Sequence, residues 1–138
     1  MAFYPHKEGW EIKWYRKIAS TAFSANSLVA RSAALDTIEP ADASDTELVG
    51  ICLKTVASTD SDYASNTRIP VLVPIVKGAE MVGDVGTGTI AITDEGNEYD
   101  IATANGIDAS ASATDAVKLL TFISSTRGIF CINLFDLA

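Results

Sequence analysis

A chain of 138 residues, 48% hydrophobic and 20% charged, has the material for one domain with a real core. Its formal net charge of −8 argues against direct binding to nucleic acid or to an anionic membrane surface. The N-terminus MAFYPHKEGW has no apolar h-region, and the longest uninterrupted apolar run covers residues 69–76. Neither a signal peptide nor a membrane span is expected, and synthesis in the cytoplasm is.

The charge is unevenly spread. Residues 1–31 hold five basic groups (Lys7, Lys13, Arg16, Lys17, Arg31) against Glu8 and Glu11, a net of +3. Residues 32–138 hold five basic and sixteen acidic groups, a net of −11. Chance clustering accounts for this, or a basic arm over residues 1–18 precedes an acidic β domain over 19–138. The charge of such an arm suits an acidic neighbour, a second copy of the same body included.

In chain order, GWEIKWYRK alternates Trp10, Ile12 and Trp14 against Glu11, Lys13 and Tyr15, the period of a half-buried strand. Residues 18–40 are small and polar, with apolar residues at Leu28, Val29 and Ile38, which favours short strands joined by turns. In ELVGICLKTVAS, Ser44 and Glu47 have capping-box spacing, but Gly50 and the Val, Ile and Thr content favour a strand. TRIPVLVPIVKG, residues 67–78, is a strand carrying Pro70 and Pro74 on alternate positions. One side of it therefore lacks ladder donors, which predicts an edge strand or the border of a bulge. Both its faces are apolar and no charge lies between Arg68 and Lys77, so something must cover it.

Beyond it, Gly83, Gly86 and Gly88 around Asp84 predict a tight turn or bulge between two short strands. DEGNEYDI reads as an acidic turn and a brief strand near Tyr99–Ile101. TANGIDASASATD reads as a mobile exposed loop, with a hairpin signal at Asn105-Gly106. AVKLLTFISSTRGIFCINLF gives two strands flanking SSTRG, and Ser112 with Asp115 leaves room for a short helix over Ser112–Leu120. Eight to ten short strands in all predict an all-β fold, a compact small barrel or sandwich with at most one short helix.

Catalytic chemistry finds little support. His6 is the sole histidine and Cys52 and Cys131 lie in apolar strand-like contexts, so neither a triad nor a zinc site is expected. GDVGTG lacks the Gly-Lys-Ser/Thr ending of a phosphate loop. Asp94, Gly96, Glu98 and Asp100 have spacing for weak cation binding, with a solvated turn the simpler reading. No enzyme activity, cofactor or metal is expected. What remains is contact surface: Phe3, Tyr4, Trp10, Trp14, Tyr15 and Arg16 from the arm, with Pro70, Leu72, Pro74 and Val76 from the proline strand.

The run LVGICLKTVASTDSDYASNTRIPVLVPI, the GDVGTG turn and the closing FISSTRGIFCIN follow one another over residues 46–133. Together they resemble small structural proteins of tailed bacteriophages, nearest the capsid decoration, or cement, proteins. The resemblance implies a β-tulip type of fold. It also implies a homotrimer on the outer capsid surface of the virion, seated over threefold and quasi-threefold points of the major capsid protein lattice. N-terminal segments in that family reach neighbouring subunits, and no catalytic residue carries over. A phage tail, fibre or baseplate component, or a carbohydrate-binding β module using Trp10 and Trp14, are the alternatives.

Overall fold

Period-two alternation runs through most of the chain. The computed structural model, which describes residues 3–34, 36–45 and 48–133, turns it into eleven strands and one 3-10 turn at Ile92–Asp94. The strands are β1 (Phe3–His6), β2 (Trp10–Arg16), β3 (Leu28–Arg31), β4 (Ile38–Pro40), β5 (Leu48–Cys52) and β6 (Arg68–Pro74). They continue with β7 (Glu80–Thr87), β8 (Glu98–Thr103), β9 (Gly106–Asp108), β10 (Val117–Ser124) and β11 (Arg127–Ile132). The all-β expectation holds.

Strands β7, β11, β10, β8 and β9 are neighbours in that order, and a parallel pairing of β9 with β7 closes them into a five-stranded barrel. β1 shares the β9 edge of β7, pairing with Glu80–Gly83 while β9 pairs further along at Val85 and Thr87. The other five strands form a second sheet in the order β2-β6-β5-β3-β4. One face of that sheet, with Leu28, Ala30, Leu48 and Ile51, joins the barrel core around Met81, Ile101, Ile107, Leu119 and Phe130. Its opposite face, with Val29, Val49, Cys52, Ile69, Val71 and Val73, packs beneath Phe23 and Val56. The second sheet is thus a middle layer, which is why β5 is buried along its whole length and why β6 is apolar on both faces.

This corrects the reading of the proline strand. β6 lies inside the sheet, with β2 along one side and β5 along the other. The N–H of Ile75 donates to Gly9 and the carbonyl of Pro70 accepts from Leu53, so amides 69, 71, 73 and 75 face β2 while 70, 72 and 74 face β5. The side without donors is the side where the ladder is short, limited to Ile51 opposite Leu72 and Cys52 opposite Val71. The chain's own strands cover the run as far as Pro74, and Ile75 and Val76 beyond it are exposed. Neither ladder of β6 contains a bulge; the slip lies one ladder away, where the β3–β5 register shifts between Val29 and Ala30. There Gly50 passes so near β6 that a Cβ on it would sit 2.0 Å from the Leu72 carbonyl oxygen.

Other expectations change for similar long-range reasons. Gly83 and Gly86 do not end a strand, since β7 runs through both; the expected bulge falls at Gly86, where the β7–β9 register slips between Val85 and Thr87. TANGIDASASATD is not a free loop, because β9 within it closes the barrel. No helix forms over 112–120. The chain there is held open by Asp100, whose carboxylate accepts the backbone N–H groups of Ala113, Thr114 and Asp115 at 2.7–3.1 Å before β10 begins. Glu47, half of the capping-box pattern, lies outside the described residues. Over its described residues the segment expected as an arm runs along this chain's own body: β1 belongs to the barrel sheet and β2 to the second sheet.

Candidate interaction surface

β2 is the outermost strand of the second sheet and pairs with β6 over seven residues. The register sets Trp10 opposite Pro74, Ile12 opposite Leu72 and Trp14 opposite Pro70. Directly opposed residues share a face, so these six side chains form one apolar ribbon on the barrel side of the sheet. Burial falls along it. Trp10 is half-buried, packs on the barrel core and donates its indole N–H to the Glu80 carbonyl at 3.0 Å. Ile12 and Trp14, further from the barrel, are 57% and 59% exposed. The alternation visible in the sequence placed Ile12 with the buried set; the barrel covers only the Trp10 end of that face.

The other expected contact residues scatter. Phe3 is fully buried in the barrel core and has no surface to offer. Tyr4 is exposed on β1, opposite Val82. Tyr15 lies on the opposite face of β2, against the second core, with the Arg31 guanidinium 5.2 Å from its ring centre. Arg16 pairs with Asp36 at 3.0 Å. Leu72 and Pro70 are half-buried, Pro74 is buried, and Val76 is exposed in the turn after β6 beside the equally exposed Ile75. Trp10, Trp14, Pro70, Leu72 and Pro74 therefore come together, with Ile12 added, while Phe3, Tyr4, Tyr15 and Val76 do not join them.

Basic groups rim the exposed end. Arg68 donates to the Trp14 carbonyl at 3.3 Å, and Lys13 pairs with Glu11 at 3.5 Å on the other face of the strand. Acids of the same chain answer much of the N-terminal charge: Glu80 lies 3.7 Å from Lys7, and Asp36 holds Arg16. Lys17 is fully buried, its ammonium donating to the carbonyls of Tyr63 and Ser65.

The candidate chemical groups occupy separate places. His6 sits on β1 opposite Glu80. Cys52 and Cys131 are free and buried, and burial pushes both thiols above their ordinary range, away from nucleophilic reactivity. In the acidic stretch the carboxylates bind backbone: Asp94 accepts the Ala91 N–H at 2.8 Å and Glu95 the Phe122 N–H at 2.7 Å. Burial raises the Asp100 pKa, but the N–H bonds from Thr114, Asp115 and Ala113 together with the Thr114 hydroxyl outweigh it, leaving the group below its ordinary value. Among the described residues no three His, Cys, Asp or Glu side chains are placed to hold a metal. Comparison with known protein families and with curated proteins gives no match for this chain.

Proposed function

We propose that the protein is a structural virion component that binds the outer surface of an assembled phage capsid and cements neighbouring capsomers. The observation that carries this reading is the ribbon end at Ile12 and Trp14, two large apolar side chains more than half exposed on a strand. Their positions are fixed by a continuous seven-residue register with β6. Exposed apolar patches rimmed by polar and basic groups mark interaction surfaces. Full burial of an aliphatic or aromatic side chain contributes about 1.5–3 kcal/mol. The resemblance over residues 46–133 supplies the kind of partner, the major capsid protein lattice.

The mechanism is mass action. Packed genome strains the contacts between capsomers, and a ligand that binds only the assembled lattice stabilises it in proportion to its occupancy. Arg68 and Arg16 at the rim would orient docking on an acidic capsid surface rather than supply most of its free energy.

Cosedimentation with heads of the encoding phage, stripped of this protein, tests the reading. Wild-type protein should saturate the heads, and Ile12→Asp or Trp14→Ala should lower occupancy at equal concentration. Binding unchanged by both substitutions would overturn the ribbon as the docking surface. Recovery of the protein with isolated tails instead of heads would overturn the capsid reading in favour of a tail or baseplate role.

A further inference from the structure

The open side of β2 carries a second kind of information, in its backbone rather than its apolar face. The Ile75 N–H bonds the Gly9 carbonyl and the Lys17 N–H bonds the Thr67 carbonyl, which fixes the direction of every amide between them. Glu11, Lys13 and Tyr15 point their backbone groups at β6. Trp10, Ile12 and Trp14 point theirs away, to a side where no described strand pairs with them; beyond them β4 meets β2 through the Lys17–Ile38 bridge, where the Ile18 N–H donates to the Ile38 carbonyl. The β2–β6 register is unbroken across all seven residues and β2 contains no proline, so the edge is unblunted from Trp10 to Trp14, and β4 caps it only at Lys17. Of the outward groups, the Trp14 carbonyl accepts from Arg68 at 3.3 Å, and a carbonyl has a second lone pair.

Edge strands that remain single are usually guarded by charge or proline. The charges here are Glu11 and Lys13, and they are self-complementary. We propose that β2 pairs antiparallel with β2 of a second copy about a twofold axis through Ile12, joining the two five-stranded sheets into one. In this register Trp10 and Trp14 of opposite copies exchange backbone hydrogen bonds, as do the two Ile12 residues. Glu11 of each copy then stands directly opposite Lys13 of the other, in the closer, non-hydrogen-bonded kind of pair.

Charge excludes the neighbouring registers. Sliding by two residues one way sets Lys13 against Lys13, and the other way sets Glu11 against Glu11. A one-residue slip turns the apolar ribbon of one copy to the face of the other's charges. The chosen register also brings each exposed Trp14 alongside the other copy's Trp10, where sheet meets barrel, and joins the two exposed ribbon ends into one. The pairing stands apart from the capsid reading and is tested without a capsid.

The test is sedimentation equilibrium on the full chain over a concentration series, with a charge exchange. Wild type should form a reversible dimer. Glu11→Lys and Lys13→Glu, both at exposed positions, should each weaken it by about tenfold or more, because two attractive cross-strand pairs become two repulsive ones. An equimolar mixture of those two variants should regain wild-type affinity, since each supplies the charges the other lacks. Ile12→Pro should abolish the dimer while the β2–β6 ladder survives, because the Ile12 N–H points away from β6; matching thermal unfolding curves check that. A chain that stays monomeric at every attainable concentration overturns the proposal, as does a trimer. So does a dimer indifferent to the charge variants, or a mixture that fails to restore affinity.

Discussion

The ring of Phe3 lies over Gly83: a Cβ on that glycine would come within 2.9 Å of the ring's Cε1 atom. The two residues are directly opposed in the β1–β7 ladder, so the missing side chain on one strand is the space filled by the aromatic of the other. The first described residue of the chain is thereby a core residue of the barrel.

Phe3→Ala should therefore cost about 3–5 kcal/mol, the usual range for emptying a buried aromatic site. Gly83→Ala, which overfills the same space, should cost about 1–3 kcal/mol. Removing residues 1–6 should destabilise the barrel rather than trim a dispensable arm. Urea unfolding reads all three, and a truncated chain as stable as wild type would place Phe3 outside the core.

Asp100 organises the loop that replaces the expected helix. Asp100→Asn keeps the size and can keep an oxygen on the Thr114 and Asp115 N–H groups, but turns its NH2 toward the Ala113 N–H, so a loss of about 1–3 kcal/mol is expected. The acid dependence follows from the direction of its shift. The folded-state pKa lies below the ordinary 3.8. The stabilisation it brings is then fully present above about pH 4 and is lost as pH falls through the folded value. Unfolding midpoints of wild type and Asp100→Asn should converge over the acid range below about pH 4, as the carboxylate protonates. A constant difference across that range would remove Asp100 as the acid-sensitive group.

Lys17 ties the segment after β5 to the body. Lys17→Met retains most of the buried volume but takes the Lys17 donor from the Ser65 carbonyl and leaves the Tyr63 carbonyl with the Ser20 N–H, at a cost of about 1–3 kcal/mol. Amide hydrogen exchange should quicken first at residues 57–66. Unaltered exchange there would show that other contacts hold the segment.

Much of the fold was legible where side-chain period and backbone pairing agree. Trp10–Tyr15 announces a strand by alternation and Ile69–Val73 by a short β-branched apolar run, and the residues flanking Ser125 announce a hairpin. Pairing between residues far apart in sequence was not legible. Pro70 and Pro74 correctly mark a side poor in donors, yet Leu72 between them still finds Ile51, a partner no local pattern reveals. Gly83 looked like a turn because its reason for being glycine, Phe3, is eighty residues away in the chain. Gly106–Asp108 looked like loose loop because three residues suffice to close a barrel once β7 and β8 are in place. The interaction ribbon was half legible: Trp10, Trp14, Pro70 and Leu72 were marked by composition, whereas Ile12 belongs to it only because the barrel stops short of covering it.

The central claim, that this protein decorates a capsid through the exposed end of the β2–β6 ribbon, is tested most directly by cryo-electron microscopy of the virion of the encoding phage. Density matching a five-stranded barrel and its attached sheet is expected on the outer capsid surface, with Ile12 and Trp14 facing a neighbouring chain. Density confined to the tail or baseplate, or bound on the capsid with Ile12 and Trp14 facing solvent, would contradict it.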